Sequence, residues 1–108
     1  MPLYMTQFSY TAEAVAAMTK NPQDRTAGLG KLIEKLGGRL ICLYYCFGEY
    51  DGVAIAEVPD NGTELAVVLA AATPGHLKAV KTTVLVSMDE ALEAMKKAHG
   101  LAYAGPGD

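Results

Sequence analysis

Three groups of residues in this chain have types and spacings suited to chemistry. The first is FGEYDG, residues 47–52, where Glu49 and Asp51 flank Tyr50. Carboxylates two positions apart share one face of a strand. Such a pair can serve as general acid and base, with the Tyr50 hydroxyl donating a hydrogen bond or carrying a proton. The same residues also suit a turn. Gly48 and Gly52 permit positive φ, and Asp51 can bond the neighbouring backbone. Tyr50 can pack its ring while its hydroxyl finds a backbone partner. The second group is polar residues that interrupt apolar strand-like runs: Gln7, Ser9, Glu57, Lys81 and Thr83. The two-residue strand period puts Gln7 with Ser9 and Lys81 with Thr83. Brought to one cleft they form a small polar pocket, with Lys81 pairing Glu57 or holding an anionic ligand. Left at a sheet rim they are solvated, or paired as buried Lys and Glu usually are. The third group is Tyr44-Tyr45, whose rings point to opposite faces, one toward the core and one toward a cleft where it can orient an apolar ligand.

Other candidates are weaker. His76 follows TPG in a loop and could act as a base or ligand. Neither it nor His99 has a partner at metal-ligand spacing, so no metal site is expected. AGLGKL (27–32) lacks phosphate-loop spacing and follows no strand. No cofactor is expected. Cys42 and Cys46 fall on one strand, about 13 Å apart at ~3.3 Å per residue, beyond disulfide reach. Reduced thiols and a cytoplasmic location follow. The N-terminus has neither the positive nor the apolar region of a signal peptide.

The elements that must position these residues follow from periodicity. The chain has 108 residues, 51% of them hydrophobic and 19% charged, which fits one folded domain. Residues 1–99 form that domain and 100–108 a loose Gly- and Pro-rich tail. The net charge is −3, and the nine Lys and Arg residues are scattered, which argues against nucleic-acid binding. No apolar run reaches the ~20 residues of a membrane span. LYMTQFSY (3–10) reads as a strand, and Thr11 caps the helix TAEAVAAM. NPQDR interrupts, and Leu29, Leu32, Ile33 and Leu36 recur at helical spacing until Gly37-Gly38. Strands 39–47 and 53–58 flank the FGEYDG turn. Residues 39–47 are apolar on both alternating faces and call for cover on both. A helix over 61–72 presents Leu65, Val68, Leu69 and Ala72, capped by Asp60 or Asn61. A strand over 79–86 follows. Ser87 and Glu90 form a capping box that opens a last helix over 88–98.

The resulting order, β-α-β-β-α-β-α, is α+β: a ferredoxin-like βαββαβ core with a four-stranded antiparallel sheet and a C-terminal helix. Right-handed crossovers place the helices on one face. The second face needs either a second copy of the sheet or the last helix folded across it. The first solution predicts a homodimer, or a larger homo-oligomer built on one.

At this point the residues resemble the GYD domain family, through Gly48, Tyr50 and Asp51 of FGEYD together with SYTAEAV, KLGGRL and VKTTVLVSMDEALEAMKKA. The resemblance spans nearly the whole chain. It implies a ferredoxin-like fold of the dimeric α/β-barrel type. Relatives by fold include small-molecule monooxygenases, muconolactone-isomerase-like proteins and stress-response modules, an analogy that does not carry function. The leading expectation is a small oligomeric protein that binds a small molecule. The alternatives are a cofactor-free monooxygenase- or isomerase-like enzyme, in which Tyr50, Asp51 or His76 moves a proton, and a purely structural assembly module.

Overall fold

The computed structural model describes residues 1–107. Strand β1 (Leu3–Tyr10) leads to helices α1 (Ala12–Lys20) and α2 (Thr26–Lys35). Strands β2 (Arg39–Tyr45) and β3 (Gly52–Glu57) form a hairpin. Helix α3 (Asn61–Ala72), strand β4 (Leu77–Leu85) and helix α4 (Met88–His99) complete the chain. The sheet order is β2-β3-β1-β4, antiparallel throughout, which is the ferredoxin-like arrangement. The interruption at NPQDR divides the first crossover into two helices.

Local chemistry starts helices α1, α3 and α4 where the sequence indicates. Thr11 Oγ1 accepts from Ala14 N at 3.1 Å, Asp60 Oδ1 from Thr63 N at 2.8 Å, and Ser87 Oγ from Glu90 N at 3.1 Å. Each bond satisfies an amide that the helix itself leaves free. Gly37, at φ +85°, ends α2.

The core lies between the sheet and helices α2 and α3. Tyr4, Ile33, Ala56, Val58 and Val67 are buried together, and Leu29, Leu32 and Leu40 pack against them. The inward face of α3 differs from the expected one. Glu64 and Val67 are buried, whereas Leu65 and Leu69 are each 57% exposed. The stretch LAVVLAAA is apolar all round, so periodicity cannot choose its inner side. The choice falls to polar anchors at the helix start: Tyr4 Oη donates to Asn61 Oδ1, and Thr6 Oγ1 donates to Glu64 Oε1 at 3.2 Å.

The second sheet face carries Leu3, Met5, Val53, Ile55 and Leu85 with Gln7, Lys81 and Thr83, as the strand registers dictate. Helix α4 does not fold across it. Its residues are exposed or, at Ala91, half-buried, and the structure including it measures 61 × 33 × 21 Å. The radius of gyration is 17.9 Å, against about 13 Å for a compact domain of this length. Strand β2 lies at the sheet edge; Leu40 packs on the core from one of its faces, and its expected two-sided cover is not met among the described residues. Tyr44 and Tyr45 are 66% and 58% exposed.

Gly52 opposes Phe8 across β1 and β3, and a Cβ there would meet the Phe8 ring at 2.3 Å. The Gly52→Ala variant is therefore expected to lose ~1–3 kcal/mol through overpacking. A urea unfolding midpoint unchanged from the parent would refute this packing account.

Candidate functional site

A cavity of about 260 Å³ lies between the helix-bearing face of the sheet and helices α2 and α3. Its floor is Tyr4, Thr6, Phe8 and Tyr10 of β1 with Ala54 and Ala56 of β3. These residues alternate along their strands, so a single sheet face supplies all six. The small alanines leave room above β3, and Gly28, where a Cβ would touch nothing, leaves room beside α2.

The lining is mainly apolar, with one acid. Glu64 enters from the first turn of α3 and is only 6% exposed. Its Oε1 accepts from Thr6, whose hydroxyl lies 3.1 Å from that of Thr82. Its Oε2 is buried and has no hydrogen-bond partner among the described residues. Burial pushes the Glu64 carboxyl above the ordinary carboxylate range, partly opposed by the Thr6 hydrogen bond. Tyr4 ties β1 to Asn61 beside this acid, and burial with the nearby charges of Glu64 and Asp60 raises its phenol. Further along β1, the Tyr10 and Tyr45 hydroxyls lie 3.2 Å apart, with their rings edge to face at 6.1 Å between centroids. Burial and the Tyr45 bond raise the Tyr10 phenol. Exposed Arg25 and His76 line the outer rim.

Of the residues singled out from the sequence, His76 lines this cavity, and Tyr45 borders it through Tyr10. Tyr45 also lines a smaller depression with Arg25 and Leu43. Gln7, Lys81 and Thr83 meet on the opposite face of the sheet, Gln7 directly across from Lys81. Ser9 and Tyr44 belong to that same face. Glu57 pairs with Arg39 at 3.0 Å, at the sheet edge.

The FGEYDG turn is bound to the backbone around it. Ser9 Oγ donates to the Glu49 carbonyl at 2.8 Å, and Tyr10 N donates to Asp51 Oδ2 at 2.9 Å. Asp51 N donates to the Phe8 carbonyl and Cys46 N to the Asp51 carbonyl, both at 2.8 Å. The Cys46 thiol donates to the Tyr50 carbonyl at 3.3 Å. Gly48 supplies the positive φ, +104°, whereas Gly52 is required for its closeness to Phe8. Glu49, Tyr50 and Asp51 do not line the cavity.

Sequence reasoning missed Glu64, Thr6, Tyr4 and Tyr10. A signal for Glu64 is present: it precedes Val67, Val68 and Ala71 by three, four and seven residues. It is an acid in line with an apolar helical stripe.

A buried carboxyl with a bare oxygen costs stability. Glu64→Met is expected to raise the melting temperature, read by calorimetry. A drop would mean that the acid is there for structure. Because the folded state holds the Glu64 proton more tightly than the unfolded chain, this residue's effect on stability becomes less favourable as pH rises from about its ordinary 4.5 through the raised value. Glu64→Gln should flatten the stability–pH curve over that window, and an unaltered curve would contradict the assignment.

Comparison with known proteins agrees with this architecture. The chain matches no curated protein. It is similar to the solved structure of TTHA0845 from Thermus thermophilus, at 18% identity and a TM-score of 0.52, covering 81% of this chain and 95% of that one. It is also similar to MtbAldR, at 13% identity and a TM-score of 0.58, over 80% of this chain and 53% of that one. A NIPSNAP domain protein from Burkholderia xenovorans aligns at 22% identity and a TM-score of 0.49, over 81% and 94% of the two chains. The first two likenesses concern the fold alone. The GYD domain model matches residues 4–95, and with most of its length so matched, the chain belongs to the GYD domain family.

Proposed function

We propose that this protein binds a small, mainly apolar molecule in the cavity between the sheet and helices α2 and α3, and that it does so as a homo-oligomer. The observation that carries the binding reading is the 260 Å³, mainly apolar space lined by Glu64, a buried acid whose Oε2 has no hydrogen-bond partner among the described residues. Ligand sites combine an apolar lining with a few placed polar groups. A core built for stability alone has neither a void of that size nor an unpaired acid.

The homo-oligomer reading rests on surfaces that no helix covers among the described residues. The second sheet face is one. Helix α4 is another: Met88, Ala91, Leu92 and Met95 form an apolar stripe at helical spacing, and Met88, Leu92 and Met95 are 74%, 53% and 64% exposed. A 12-residue helix is marginal in water without packing. Its charges favour an antiparallel copy of itself, with Asp89, Glu90 and Glu93 ahead of Lys96, Lys97 and His99. The free thiols of Cys42 and Cys46 suit a reducing cytoplasm.

The binding test is titration calorimetry with tetralin, a neutral two-ring hydrocarbon. An apolar cavity of about 150 Å³ holds benzene, so two fused rings suit the larger space. Saturable binding, weakened by a Gly28→Leu variant that narrows the opening, is expected. Absence of heat and of thermal stabilisation would overturn the binding reading. Sedimentation at micromolar concentration is expected to give an oligomer that Leu92→Glu with Met95→Glu weakens. A parent protein sedimenting as a monomer would overturn the assembly.

A further inference from the structure

We infer that the ligand carries a protonated amine on its apolar body, and that the amine bonds Oε2 of Glu64. This inference rests on the small-molecule reading above and names the chemistry of its deep end.

The argument starts from the two oxygens of one carboxyl. Oε1 is held by Thr6, which is in turn set by Thr82 on the neighbouring strand. Glu64 thus lines the space with one oxygen braced and the other without a partner among the described residues. Oε2 is buried without a hydrogen-bond partner among the described residues, in a residue only 6% exposed. An ionised carboxylate can only accept hydrogen bonds. A ligand group that completes it must therefore donate. A charged donor gives a bond roughly twice as strong as a neutral one, and the apolar lining strengthens it further.

The surrounding groups leave that role open. Beside Glu64 on β1 stands Tyr4, whose hydroxyl is committed to Asn61. Thr82 of β4 engages Thr6. Asp60, at the start of α3, adds negative charge and is occupied by Thr63. The α2 residues that line the space include Leu29, Leu32 and Ile33, which are apolar. The cations at the cavity are Arg25 and, when protonated, His76 on the outer rim. Arg25 exerts its charge on Tyr10, four residues and about 13 Å along β1 from Thr6. No lysine or arginine of the described residues forms an ion pair with Glu64. The deep end is thus acidic and the rim basic, which orients a ligand with its ammonium inward.

Ligand entry is then linked to pH. Burial raises the Glu64 carboxyl in the empty protein, and an ammonium at Oε2 draws it back toward ionisation. The amine's advantage is greatest where Glu64 is already ionised in the empty protein, so that no proton must be displaced. It falls as pH drops and protonates the acid.

The experiment uses the whole protein and four matched compounds: tetralin, tetralinyl amine, tetralone and tetralin carboxylate, by titration calorimetry across pH 5 to 8. The amine is expected to bind at least about tenfold tighter than tetralin near neutral pH, as a charge-assisted bond allows. That ratio should shrink as pH falls, and shrink toward one in Glu64→Gln, where amine and tetralin are compared on the same variant so that any change in tetralin binding cancels. If tetralin binds and the amine gains nothing, or tetralone or the carboxylate binds tightest, the amine inference fails and the cavity reading stands. If no member of the series binds, both fail.

Discussion

The fold depends on one constraint: two right-handed crossovers place both packing helices on the same face of β1 and its neighbours. Strand β1 is central, paired with β3 on one side and β4 on the other. Its alternate residues Tyr4, Thr6, Phe8 and Tyr10 therefore serve as core, cavity floor and polar anchor together. Their neighbours Leu3, Met5 and Gln7 are turned to the opposite face, where among the described residues no helix packs and only the turn at Glu49 reaches, over Ser9. The same alternation that builds the cavity thus sets Leu3, Met5 and Ile55 on the face away from the helices.

The polar bonds from β1 to α3 then decide what the cavity contains. Tyr4 to Asn61 and Thr6 to Glu64 fix the rotation of a helix that is apolar on nearly every side. This rotation turns Glu64 inward and Leu65 and Leu69 outward. The result departs from maximal burial, since two leucines are exposed and an acid is hidden. Such a departure has a cost in stability, and proteins tend to keep such costs at sites of function.

The acidic turn that is most conspicuous in the sequence has a different part. Asp51 and Ser9 lock the β2–β3 hairpin to the end of β1 through backbone bonds. Gly52 lets the Phe8 ring lie against the strand. The family signature thereby reads as joinery that holds the cavity floor in place, and Tyr50 and Asp51 lie outside that cavity.

Much of this was legible in the residues. Turn chemistry at FGEYDG, caps at Thr11, Asp60 and Ser87, and the change from strand to helix period are local, and local rules specify them. They determined the element order, hence the sheet and the ferredoxin-like topology. Helix periodicity could not choose the inner side of α3, because an all-apolar helix has no preferred side until something packs on it. Strand alternation grouped Gln7 with Ser9 and Lys81 with Thr83, but which face the helices would cover was a matter of handedness and packing. The tertiary structure alone decided that Glu64 is buried with a bare oxygen and that α4 stands away from the sheet. Burial and partnership are properties of neighbours brought together from distant parts of the chain, here Thr6 and Glu64, 58 residues apart.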